Sequence, residues 1–184
     1  MSVEVAPIVE GHGDVEAVPV LLRLIEPRVD VKRPVRFPRA RLLEEQELIR
    51  AGRIAASNIT GAGAVLLVID ADEDCAADLG SRLETILTRA LQGVTCRVAL
   101  AVREFEAWIV GGDAGYNVDN PDEVGRLKGR IAARHGRYKE TADQARFTAR
   151  IDVARLQASS RSFRRLQACI AAIVEAHSDS DEPG

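Results

Sequence analysis

The chain has 184 residues, with 25 Lys and Arg against 28 Asp and Glu, a net charge of −3 and 46% apolar residues. No apolar run approaches the roughly 18 residues of a bilayer span, which excludes a helical membrane protein. A domain of this length buries about 70% of its unfolded-chain surface, so its core needs neither disulfides nor a structural metal.

Three cysteines, Cys75, Cys96 and Cys169, are odd in number and too far apart for a CxxC motif. They predict a reducing compartment rather than a secreted scaffold. The N-terminal MSVEVAPIVEGHGD lacks the basic stretch and long apolar segment of a signal peptide. The expectation is a single cytoplasmic globular protein with no membrane partner.

In chain order, residues 3–9 (VEVAPIV) form a short apolar run closed by Glu10-Gly11, and 14–25 have helical spacing with Asp14 in the first turn. Residues 31–37 carry β-branched side chains between prolines and predict a strand, and 42–59 predict a helix with Glu44, Glu45 and Glu47 near its start. Residues 64–69 (AVLLVI) are continuously aliphatic, as a parallel strand covered on both faces must be, and the run stops at Asp70.

After the acidic loop DADEDC, a helix over about 76–91 and a strand over 94–102 lead into REFEAWIV. This alternation predicts an α/β fold, a mainly parallel sheet of about four strands with helices on both faces. Beyond the loop GGDAGYNVDNP only helical patterns remain, over 121–135 and 141–177, the latter broken near Ser159-Ser160. The expected organisation is an α/β core over 1–112, a helical Arg-rich extension packed on it over 113–177, and a disordered tail over 178–184.

Charge is distributed unevenly. Residues 126–165 hold twelve basic residues against Glu140, Asp143 and Asp152. Such a segment can neutralise a polyanion, and Arg146, Arg150, Arg161, Arg164 and Arg165 are the expected contacts to nucleic-acid phosphates. With only seven aromatic residues in the chain, none read as interleaving with the basic run, base stacking is not expected.

Acidic residues gather where the predicted strands end: Glu10 and Asp14 after the first, Asp70, Asp72 and Asp74 after the third, Glu104 and Glu106 after the fourth. Ligands of open parallel sheets bind at that edge. Crowded carboxylates resist ionisation unless a cation neutralises them, and hard oxygens without His or Cys suit Mg²⁺ or Mn²⁺. An EF-hand is excluded, because its sixth and twelfth positions would be Cys75 and Ser81 rather than Gly and Glu. Glu106 is expected to open an amphipathic helix whose aromatic residues fill the core, and His12 to be an exposed loop residue.

Glu10 in its glycine turn and Asp70-Ala71-Asp72 at the end of a hydrophobic strand resemble the TOPRIM domain of topoisomerases, bacterial primases and overcoming-lysogenization-defect nucleases. Asp14 matches the second acid that those nucleases carry four residues after the Glu. More closely, VEGHGDVEAVPVLLRLI, VLLVIDADEDC, VALAVREFEAW and DQARFTARIDVARLQASSRSFRRL look like a small bacterial TOPRIM-like family.

The resemblance covers roughly residues 3–170. It implies a TOPRIM-like Rossmannoid fold in which Glu10, Asp14, Asp70 and Asp72 bind Mg²⁺ or Mn²⁺ and act as catalytic residues, with Glu104 as a further acid; Asp74 joins the expected metal ligands by its place in the acidic cluster. The implied activity is phosphodiester hydrolysis of DNA or RNA. TOPRIM nucleases commonly place a basic residue near the metals, for which Lys128 and Arg103 are the candidates. Families of this sort often sit beside ATPases in phage-defence loci, which implies an ATPase partner. The alternative is a non-catalytic regulatory subunit that binds a metal or nucleotide.

Overall fold

The computed structural model describes residues 2–178; the expected disordered tail lies outside the described residues except for Ser178, the last residue of the final helix. The chain runs β1 (Glu4–Val9), α1 (Asp14–Ile25), β2 (Asp30–Val31), β3 (Val35–Arg36), α2 (Arg39–Leu42), α3 (Glu45–Ala56), β4 (Gly63–Asp70), α4 (Ala76–Ala90) and β5 (Thr95–Ala101). There follow α5 (Glu106–Gly111), α6 (Leu127–His135), α7 (Glu140–Thr148), α8 (Val153–Ser159) and α9 (Arg161–Ser178), with short 3₁₀ turns over Ala114–Tyr116 and Pro121–Glu123.

The sheet has five parallel strands rather than about four. The single strand expected over 31–37 is two short ones: Asp30–Val31 pairs with Glu4–Val5, and Val35–Arg36 with Ile8–Val9. Pro34 lies between them and has no N–H to give a ladder. The expected helix over 42–59 is α3, shorter at both ends, and a further short helix, α2, precedes it. The long pattern over 141–177 is three helices. Asp152 accepts the Arg155 N–H (3.0 Å) to start α8, and Ser160 Oγ accepts the Phe163 N–H (3.0 Å) to start α9.

Strand order is β2/β3, β1, β4, β5. From β1 the chain winds toward one edge, and from β4 toward the other. The crevice beyond the carboxyl ends of β1 and β4 is therefore the topological switch point, where such sheets bind ligands.

Alternation along the strands builds two cores. Val5, Val9, Leu66 and Val68 face α1 and α5–α9, while Ile8, Val65, Leu67, Ile69 and Leu100 face α3 and α4. On the second face Leu79, Leu83 and Leu87 recur every four residues along α4. Gly52 lets α3 approach, since a Cβ there would lie 2.8 Å from Leu87 Cδ2 and 2.9 Å from Leu91 Cδ1. On the first face Trp108 is fully buried; its Nε1 donates to Ser162 Oγ (2.8 Å) and its ring meets Phe105 and Phe163 edge-on, tying α5 to α9. Among the described residues no helix is long and apolar enough to cross a membrane.

Leu83 is wholly enclosed between α4 and the sheet. Leu83→Ala is expected to lower unfolding free energy by about 2–5 kcal/mol in urea denaturation. A loss within experimental error would place this core elsewhere.

Candidate active site

The switch point is stitched across the two central strands by a side chain. Glu10 follows β1, and its Oε1 accepts the backbone N–H of Asp70, the last residue of β4 (2.5 Å). Asp14 opens α1 and is 9% exposed; its Oδ2 accepts the Gly11 N–H (2.8 Å) and its Oδ1 accepts from Gln144 Nε2 (2.7 Å) on α7.

The two glycines of EGHGD serve these contacts. A Cβ at Gly11 would lie 2.7 Å from Asp14 Oδ2, and one at Gly13 would lie 2.9 Å from the Glu140 carbonyl oxygen. They permit the tight turn and the approach of α7. His12 between them is exposed.

Burial raises the proton affinity of this group of acids. It pushes Glu10 up, with the charges of Asp14 and Asp72 adding to the effect, and it pushes Asp14 up against its two hydrogen bonds. Asp70 is held well above the ordinary carboxylate range by burial and then by the charges of Glu10, Asp14 and Glu106. Glu106 is 1% exposed, accepts a hydrogen bond from the Tyr138 hydroxyl (2.7 Å) and is pushed up to about 7 by burial.

Glu106 thus belongs to the acidic group gathered at the strand ends, although the sequence did not single it out as a site residue. It opens α5, whose Trp108 fills the core as expected, but the helix is buried on every side rather than amphipathic. The signal was there in a charged residue heading EAWIVG, a helix buried at every position, because a buried carboxylate requires partners.

Two cations compensate the acids. Lys128, near the start of α6, contacts Glu140 Oε1 (2.5 Å) and lies 3.8 Å from Glu104 Oε2. Burial works against its ammonium, but the Glu140 hydrogen bond and the charges of Glu106, Glu140 and Glu104 hold its pKa above that of an ordinary lysine. Its charge in turn favours the ionised forms of Asp14, Asp70 and Glu106. Glu104 also accepts the Leu127 N–H (2.9 Å), anchoring the start of α6.

Arg39 from α2 is the second cation. It donates to the carbonyls of Asp70 and Ala71 (both 3.1 Å) and pairs with Asp72 (3.1 Å) and Asp74 (2.5 Å), both of them exposed. Asp72 has φ +52° and Arg103 φ +66°, and the Asp72 N–H donates to the Arg103 carbonyl (3.1 Å). Two non-glycine residues in the left-handed region meet here, and such strain clusters at functional sites.

Glu10, Asp14 and Asp70 therefore come together, with Glu106 beside them and Glu104 at the Lys128 rim. Asp72 and Asp74 are drawn toward Arg39. Among the described residues no three His, Cys, Asp or Glu side chains converge as a ready-made metal cage. Of the two basic candidates, Lys128 lies among the acids, whereas Arg103 pairs with exposed Glu73 (3.2 Å).

The predicted phosphate-binding arginines are dispersed. Arg146 pairs with Asp143 (2.7 Å), and Arg150, just beyond α7, is exposed with no side-chain partner among the described residues. Arg161 and Arg165 line a groove of about 950 Å³ between α4 and α9 beside β5, where Arg165 lies 3.7 Å from Glu84. Arg164 donates to the Gln157 carbonyl (2.8 Å) at the end of α8.

Comparison with protein-family models, with curated proteins and with solved structures returns no match. What this site does must be argued from its own chemistry.

The buried carboxyl of Glu106 makes stability depend on pH. A carboxyl that holds its proton more tightly folded than unfolded stabilises the fold at low pH, and that contribution is lost as pH rises from about 4.5 through about 7. Glu106→Gln keeps an oxygen for Tyr138 and removes the titration. It is expected to match wild type at pH 5 and exceed it by about 2 kcal/mol at pH 8 in denaturant melts. A pH-independent difference would contradict this assignment.

Proposed function

We propose that the protein is a TOPRIM-type, Mg²⁺- or Mn²⁺-dependent phosphodiester hydrolase acting on nucleic acid, with Glu10 and Asp70 at the centre of its site. The observation that carries this reading is the Glu10–Asp70 stitch at the switch point: two acidic side chains, brought together by the central strands, with proton affinities raised by burial and by the charges of neighbouring acids. A bound cation would relieve that repulsion.

The donor set fits such an ion. Mg²⁺ commonly takes one or two carboxylates and fills its remaining positions with waters and substrate phosphate, so a complete protein cage is not required. Asp70 has no hydrogen-bond or ion-pair partner for its carboxylate among the described residues, and one oxygen of Glu10 is not engaged by the Asp70 N–H. Asp72 would join them by leaving Arg39. When bound, the metal would lower the pKa of a water and stabilise the charge that develops on the phosphate.

The remaining roles belong to the chain itself. Asp14, held by Gly11 and Gln144, would fix the turn that aims Glu10. Lys128 would offer its ammonium to a phosphate oxygen once Glu140 yields it. Glu106, anchored by Tyr138, would keep the inner wall acidic. An ATPase partner enters this reading on the family resemblance alone.

The compensation already supplied by Lys128 and Arg39 favours one second reading, a regulatory subunit that binds without cutting.

Plasmid, single-stranded DNA and total RNA incubated with Mg²⁺ or Mn²⁺, with an EDTA control, separate the two. Wild type is expected to cleave at least one polymer, and Glu10→Gln to retain binding while cleavage falls at least 100-fold. If wild type cleaves none of them, the regulatory reading stands. If Glu10→Gln cleaves like wild type, the site lies elsewhere.

A further inference from the structure

The basic segment does contain interleaved aromatic residues, contrary to the sequence expectation, and the fold assembles them into a ladder. The Arg134 guanidinium lies 5.1 Å over the Tyr116 ring, Tyr116 meets His135 at 6.2 Å, His135 meets Phe147 at 4.5 Å, and the Arg146 guanidinium lies 4.9 Å over Phe147. Five planar groups from the 3₁₀ turn, α6 and α7 follow one another. Arg134, His135 and Arg146 are exposed, whereas Phe147 is 5% exposed and anchors the ladder in the core.

The ladder connects to the acidic crevice through a single side chain. The Tyr138 ring lies 6.1 Å from Phe147, and its hydroxyl donates to Glu106 (2.7 Å). Its surroundings are strongly basic. Between residues 126 and 150 the chain has eight Arg and Lys against Glu140 and Asp143, and both acids are already paired, with Lys128 and Arg146.

From this arrangement we infer that the substrate is single-stranded nucleic acid, whose bases stack on the exposed His135 ring, which meets Tyr116 edge-on at 60°, while the surrounding arginines hold its phosphates and direct the strand toward the crevice. The inference rests on the nucleic-acid reading of that crevice and specifies the form of the polymer. Flat, exposed π and guanidinium surfaces in a basic field bind unpaired bases without regard to sequence. A duplex keeps its bases stacked inside and presents only phosphates to such a surface. A purely electrostatic patch has no use for alternating rings, and a purely structural cluster, in which Arg134 is held by the Gly115 carbonyl (2.6 Å) and Arg146 by Asp143, has no use for the exposed Arg126, Arg130, Arg137 and Arg150 around it.

Binding measured by fluorescence anisotropy in EDTA keeps this test independent of cleavage. The probes are a 20-nucleotide oligo-dT, an abasic strand of the same length and a 20-base-pair duplex, each at two salt concentrations. Wild type is expected to bind oligo-dT about tenfold or more tightly than either the abasic strand or the duplex. His135→Ala should remove most of that preference, and His135→Phe, which keeps a flat ring at an exposed position, should retain it.

Equal affinity for all three probes would overturn the inference and leave an electrostatic patch, and so would the absence of binding. Loss of the preference in His135→Phe as well as His135→Ala would also overturn it, since a flat ring would then not be what the base contacts. A wild type that prefers oligo-dT yet cuts nothing would uphold the stacking site and count against the hydrolase. One that cuts only duplex would do the reverse.

Discussion

A carboxylate half-buried between the carboxyl ends of two parallel strands is costly unless something compensates it. Here the first compensation is the backbone itself, in the hydrogen bond from the Asp70 N–H to Glu10 Oε1 (2.5 Å). That contact extends the β1–β4 ladder, which ends at Val9 and Val68, and sets Glu10 beside the side chain of Asp70. Nearby elements either supply further acids or offset their charge. The turn before α1 brings Asp14, α5 brings Glu106, α2 brings Arg39, and α6 brings Lys128.

The helical extension is consequently part of the site. Gln144 on α7 holds Asp14, Tyr138 holds Glu106, and Lys128 sits among Glu104, Glu106 and Glu140. These residues come from a segment whose charge is opposite to that of the core it covers. Basic residues close to a surplus of acid form internal pairs, and those at the surface remain exposed. The same segment therefore neutralises the crevice at its inner face and presents cations at its outer one.

Much of this was legible in the sequence because strong patterns are local. The aliphatic run before Asp70 and the strand-turn-helix around Glu10 required only periodicity and glycine placement, and both occur within a residue or two of their expected positions. The division of 31–37 into two strands was less visible, since it depends on how Pro34 meets the β1 ladder. Arg39 could not be foreseen, because it reaches Asp70 across thirty-one positions of chain. Glu106 was visible as an acid at the strand edge, but its neighbours gave it the look of a helix start only. A helix start among aromatic residues reads as core, and it is core, but its carboxylate faces other acids. The dispersal of Arg146 onto Asp143, Arg164 onto the Gln157 carbonyl and Arg165 onto Glu84 of α4 is an outcome that charge counting does not resolve.

The proposed hydrolase requires the Glu10–Asp70 pair to be a cation site held by the fold and not a structural hydrogen bond alone. Calorimetric titration of wild type and Asp70→Asn with Mn²⁺, alongside thermal melts, distinguishes the two. A cation site gives measurable Mn²⁺ binding to wild type and its loss in the variant, with the variant's melting temperature equal to or above that of metal-free wild type. Unchanged Mn²⁺ affinity in a folded Asp70→Asn protein would contradict it.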